Sequence, residues 1–157
     1  MSAINAILPN DKPSDAVTYE CHQCAEDIRN IETLAEGIYF EARSEPTLGQ
    51  IAVGYVITNR TEDTRYPDSI NEVITQDGNP GKQNCQFSYT CDNAPDKITD
   101  LVAWEEAKQN ATLVYHKKVA DPTYGSLYYK NPKKSKQKWS VSGKTVAIGN
   151  HTFYKSL

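Results

Sequence analysis

The stretch Ile38-Tyr39-Phe40-Glu41-Ala42-Arg43-Ser44-Glu45-Pro46-Thr47-Leu48-Gly49-Gln50 decides how this chain is read. Upstream of it, Ile28, Ile31, Leu34, Ala35, Ile38 and Tyr39 recur at three- and four-residue steps from Ala25 onward. That spacing predicts one apolar face of a helix running to about Arg43. Pro46 ends or bends the helix, because proline disfavours helical geometry in the residue before it and has no N–H to donate. Downstream, Leu48 to Arg60 contains Ile51, Ala52, Val53, Tyr55, Val56 and Ile57. It is too apolar for a surface helix and is expected to form the buried centre of the fold.

Two glutamates therefore flank the junction of two helices. If the first helix extends far enough, Glu41 and Glu45 share one face, with Arg43 close enough to favour ionisation of one of them. Glu41 follows Ile38, Tyr39 and Phe40, whose bulk can shield a carboxyl from water and raise its pKa. A glycosidase general acid needs that environment. Glutamates at this spacing also occur on many exposed helices, so spacing alone leaves both readings open.

The rest of the chain supplies the frame. Residues 1–24, with Pro9 and Pro13, read as an irregular N-terminal arm, and 25–157 as one catalytic domain. Ser69 to Gln76 is expected to form a short helix and Asp77 to Asn84, with Gly78, Pro80 and Gly81, a loop. Asp96 or Thr99 is placed as the cap of a third helix reaching about His116. Beyond Asp121-Pro122 the pattern shifts to extended pieces, Ser126 to Tyr129 and Thr145 to Tyr154. A lysine-rich loop containing Trp139 separates them. The expected class is α+β, mainly helical, with a short C-terminal β portion.

A length of 157 residues suits one domain with one core. Apolar content of 38% with ten Tyr excludes a disordered chain. The longest apolar-leaning run, Gly49 to Thr58, is too short to span a bilayer. Met1 to Pro13 does not read as a secretory signal peptide, so synthesis in a cytosol is expected.

The net charge of −3 is unevenly placed: from Leu113 onward there are nine Lys against Asp121 alone, about +8, and the remainder is about −11. Clustered lysines suit a polyanionic partner such as a wall polymer, or simply a solvated loop. Nucleic acid is not the expected partner, since the whole chain is acidic and lacks a binding motif. Cys21 and Cys24, with Cys85 and Cys91, leave open two disulfides, one disulfide with two free thiols, or a zinc site whose second spacing is long for that role.

Ordered blocks carry a more specific signal. Leu34-Ala35 through Tyr39-Phe40-Glu41-Ala42-Arg43-Ser44-Glu45-Pro46 is followed by Gly49-Gln50-Ile51-Ala52-Val53 and Val56-Ile57-Thr58-Asn59-Arg60. Next come Tyr66-Pro67, Cys85-Gln86-Phe87-Ser88-Tyr89-Thr90-Cys91-Asp92, Asp121-Pro122-Thr123, Tyr128-Tyr129 and Gly149-Asn150-His151-Thr152-Phe153-Tyr154. In that order, from about Ile31 to Lys155, they resemble the SleB family of cell wall hydrolases. Ser44 replaces a glycine often found there, a change that helical or capping geometry tolerates.

The resemblance implies a lysozyme-like lytic transglycosylase that degrades bacterial peptidoglycan with one essential glutamate, which falls on Glu41. No metal or cofactor is implied, and a monomer is expected. Glu45 and Arg43 are supporting candidates, Glu45 either orienting Arg43, capping the next helix or joining catalysis. Gln86, Ser88, Tyr89 and His151 are candidate substrate-binding residues, His151 with a structural role as the alternative. Muramidase, amidase and non-catalytic wall-binding or virion roles stand as alternatives. A chain without export signal or wall-binding module fits a bacteriophage lysin acting on the wall.

Overall fold

In the computed structural model, which describes residues 15–76, 85–134 and 142–156, helix α1 spans Asp15–Ala42. It starts well before Ala25, so the arm expected over residues 1–24 is helical from Asp15. The expected apolar face is buried only from Leu34 onward, with Ile31 partly buried against the core and Ile28 exposed. Residues 1–14, the Asp77 to Asn84 loop and Trp139 lie outside the described residues.

Helix α2, Thr47–Thr61, is the centre that its composition predicted: Gln50, Ala52, Val53, Val56 and Ile57 are all buried. It contacts α1, α4 (Leu101–Tyr115) and the short α3 (Ile70–Thr75). Gly54 allows the close approach, since a Cβ there would meet Ile38 Cδ1 at 3.0 Å. One polar pair crosses this interior. The Gln50 side chain donates to the Glu45 carbonyl at 3.3 Å and accepts from Asn110 Nδ2 of α4 at 3.1 Å, so its burial leaves no amide unpaired.

The cap of α4 is Asp100 rather than Asp96 or Thr99. Its carboxylate accepts from the N–H groups of Val102 and Ala103. The Tyr39 hydroxyl accepts from the N–H groups of Thr99 and Asp100, fixing the start of α4 to α1.

Three strands complete the fold: β1 (Tyr128–Lys130), β2 (Ser142–Ile148) and β3 (His151–Ser156), in the antiparallel order β1-β3-β2. Thr145 to Tyr154, expected as one extended piece, is instead a hairpin. Gly149, with φ +58°, and Asn150 form its two-residue turn, a Gly-Asn signal typical of tight hairpins. Tyr129 pairs with Phe153, so both project to the same side of the sheet, where Phe153 is fully buried.

The end of α2 places β1. Asn59 donates to the Ser126 carbonyl at 3.1 Å and to Asp121, and Arg60 Nε donates to the Leu127 carbonyl at 2.8 Å. Asp121 also accepts from the N–H groups of Thr123 and Gly125, so the Asp121-Pro122-Thr123 block builds a turn.

Candidate active site

Glu41 lies in the last turn of α1, on the floor of a cleft of about 490 Å³. The cleft is also lined by Arg60 from α2, Gln86, Phe87 and Ser88, Tyr128 to Asn131 and Lys134. Burial raises the Glu41 pKa. Two smaller effects oppose it, a hydrogen bond from Tyr129 and the charge of Arg60. The Tyr129 hydroxyl donates to Glu41 Oε2 at 2.8 Å, and burial pushes that phenol well above its ordinary value, so it stays a donor at any working pH. With Oε2 occupied in this way, Oε1 is the oxygen left to carry an exchangeable proton. Such a site favours the protonated carboxylic acid and can take the proton back once it is given up.

Arg60 is 3% exposed, with its guanidinium over the rings of Tyr66, Phe87 and Tyr128 at 5.1 to 5.6 Å. It gathers α2, the 85–91 loop and β1 around the cleft. Cys85 and Cys91 form a disulfide that closes this loop, bracketing Gln86, Phe87 and Ser88. A zinc site using all four cysteines is thereby ruled out. Cys24 is an exposed free thiol, and the side chain of Cys21 lies outside the described residues. No group of three His, Cys, Asp or Glu among the described residues is placed to hold a metal.

Of the residues singled out in the sequence, Glu41, Gln86 and Ser88 meet in the cleft and the others do not. Glu45 lies beyond the end of α1 and shares no helix face with Glu41. It caps nothing: α2 has Pro46 at its N-cap and no side-chain cap bond. Its buried carboxylate accepts from the backbone N–H and side-chain amide of Asn150, at 2.8 and 3.1 Å, and so fastens the β2–β3 turn to the helix junction. Arg43 is exposed and lies over the Tyr39 ring at 4.9 Å. The guanidinium acting on Glu41 is that of Arg60.

Tyr89 stacks on Phe40 with ring centroids 4.6 Å apart, outside the cleft lining. His151 is buried behind Tyr129, 4.9 Å between ring centroids, and burial lowers its pKa. It supports the wall that carries Tyr129.

Arg60 and Tyr129 were missed as site residues, although both stand in the quoted blocks. An arginine closing an otherwise buried apolar helix was the available signal, since such a charge needs a partner or a wet cleft. Tyr129 had no local signal, because sheet pairing brings it to Glu41.

The cell wall hydrolase family model matches residues 44–154. The chain belongs to the cell wall hydrolase family. Glu41 lies just N-terminal to the matched segment. The spore cortex-lytic enzyme of Bacillus cereus is 32% identical over 127 residues, covering 80% of this chain and 44% of that protein. The corresponding enzyme of Oceanobacillus iheyensis is 30% identical over 129 residues, 80% of this chain and 41% of that protein. The chain thus spans less than half the length of these relatives.

Among solved structures, the catalytic domain of the germination-specific lytic transglycosylase SleB from Bacillus anthracis superimposes with a TM-score of 0.57 at 29% identity. The match covers 80% of this chain and 93% of that domain. The catalytic domain of Bacillus cereus SleB gives 0.56 at 29% identity, with 80% and 89% covered. The family resemblance and the α+β class expected from the sequence both hold.

The Tyr129–Glu41 contact makes a prediction about pH. Phe at position 129 keeps the ring packing and removes a hydrogen bond that favours the carboxylate, so the Glu41 pKa rises further. A general acid works while protonated. In Tyr129→Phe the high-pH limb of any rate that requires a protonated Glu41 therefore moves to higher pH. A pH–rate profile with the limb unmoved, or moved down, contradicts this.

Proposed function

We propose that this domain cleaves the N-acetylmuramic acid to N-acetylglucosamine bond of bacterial peptidoglycan as a lytic transglycosylase, acting as a monomer on the wall. The observation that carries the reading is Glu41, a carboxyl with a raised pKa and, among the described residues, the sole acidic group lining the cleft. Glu41 protonates the glycosidic oxygen. As carboxylate it then takes the proton of the muramyl C6 hydroxyl, whose oxygen bonds to C1 and closes a 1,6-anhydro ring. No water is consumed, and a single carboxyl serves both steps. Gln86 and Ser88 are proposed to hold the sugar hydroxyl and acetamido groups.

Muramidase hydrolysis calls for a second carboxylate to activate water or stabilise an intermediate. Glu45 is the nearby candidate in sequence, and its two bonds to Asn150 occupy it elsewhere. Glu45→Gln, which can still accept from the Asn150 N–H, is therefore expected to clear purified walls within about tenfold of wild type, the loss one weakened hydrogen bond would cause. Turbidity loss of a wall suspension measures this. Abolished clearing by a folded Glu45→Gln protein would move the reading to a two-carboxylate mechanism.

A further inference from the structure

The charges around Glu41 exceed what a neutral sugar chain requires. Arg60, Lys130 and Lys134 all line the cleft, and Glu41 is the single acid lining it with them among the described residues, in a chain whose net charge is −3. Arg60 is enclosed by three rings, so its charge acts through the wall. Lys130 is half-buried, with its ammonium 5.4 Å from the Tyr154 ring centre, and Lys134 is exposed on the turn after β1. Lys130 follows Tyr129 on β1 with its side chain on the opposite face of the strand, so it borders the cleft beside the residue that holds Glu41 rather than facing Glu41 itself.

The backbone of peptidoglycan consists of uncharged sugars. Its fixed acids are the carboxylates of the short peptides hung on each muramic acid, next to the bond proposed to break. We infer that Lys130 and Lys134 form a subsite for these peptide carboxylates, so that the enzyme favours glycan carrying charged stem peptides over the same glycan with its charges removed. The inference rests on the peptidoglycan reading proposed for Glu41. Lys134 is exposed and Lys130 only half-buried, so each contact is of the modest, salt-screened kind. It acts on substrate capture rather than on the chemical step.

The test pairs two substrates with two proteins. Purified peptidoglycan, stripped of phosphate polymers, is compared with the same material after its carboxylates have been converted to carboxamides. Wild type is compared with the double variant Lys130→Gln/Lys134→Gln. Wild type is expected to show an apparent KM about 3- to 10-fold lower on the charged substrate, with kcat little changed between the two. In the variant that ratio falls to near one. A wild type that treats both substrates alike overturns the inference with no variant needed, and so does a folded variant that keeps the preference. Failure of wild type to cleave either substrate overturns instead the peptidoglycan reading on which it stands.

Discussion

Glu41→Gln is expected to lower the rate of glycan cleavage by roughly 10²- to 10⁴-fold, the usual contribution of a positioned acid and base. Gln retains the shape and can still accept the Tyr129 hydrogen bond, so what is lost is the proton on the remaining oxygen. The variant should not lose stability. A raised carboxyl pKa means that the fold favours the protonated form. Stability from this group is therefore full below the ordinary carboxyl value and declines as pH rises through the raised one. At neutral pH the wild type bears that cost and the neutral amide does not. Denaturant titration at pH 7 should place Glu41→Gln level with wild type or above it, while wall binding persists. A variant that clears walls at the wild-type rate would remove Glu41 from the chemistry.

Gly149→Ala is expected to be the most damaging single methyl. Gly149 sits at φ +58°, which an L side chain adopts at a cost of about 1 kcal/mol. A Cβ there would also lie 2.2 Å from Glu45 Oε2. The carboxylate must then leave the Asn150 amides, forfeiting charge-assisted hydrogen bonds of about 1.5–3 kcal/mol. A combined loss of about 2.5–4 kcal/mol corresponds to a fall in Tm on the order of 10 °C for a chain of this size. Gly125, at φ +79° with nothing within 4 Å of its Cβ position, separates the two contributions. Gly125→Ala should cost only the backbone part, about 1 kcal/mol. Equal losses in a pair of melting curves would show that the Glu45 contact contributes little.

How much was legible follows from the range over which each signal acts. The burial of α2 could be read from composition, because a helix apolar on every side has one place to go. The start of α1 could not, since the segment from Asp15 to Ala25 lacks the apolar spacing that marks a packed face. Glu41 was readable from its apolar neighbours and from the family resemblance. Its partners were not: Tyr129 and Arg60 arrive through the pairing of β1 with β3 and through the hydrogen bond from Arg60 to Leu127, both long-range in sequence. The Gly149-Asn150 turn carries a local hairpin signal, and it both separates β2 from β3 and supplies the partner of Glu45. Spacing suggested that Glu45 and Arg43 work beside Glu41. The end of α1 at Ala42 sends both elsewhere.

The most direct measurement is mass spectrometry of the fragments released from purified peptidoglycan by wild type and by Glu41→Gln. Muramyl ends carrying the 1,6-anhydro ring, present with wild type and absent with the variant, are the expected result. Reducing muramyl ends, heavier by one water, would contradict the single-carboxylate mechanism, and freed stem peptides on uncut glycan would contradict cleavage of the glycan strand altogether.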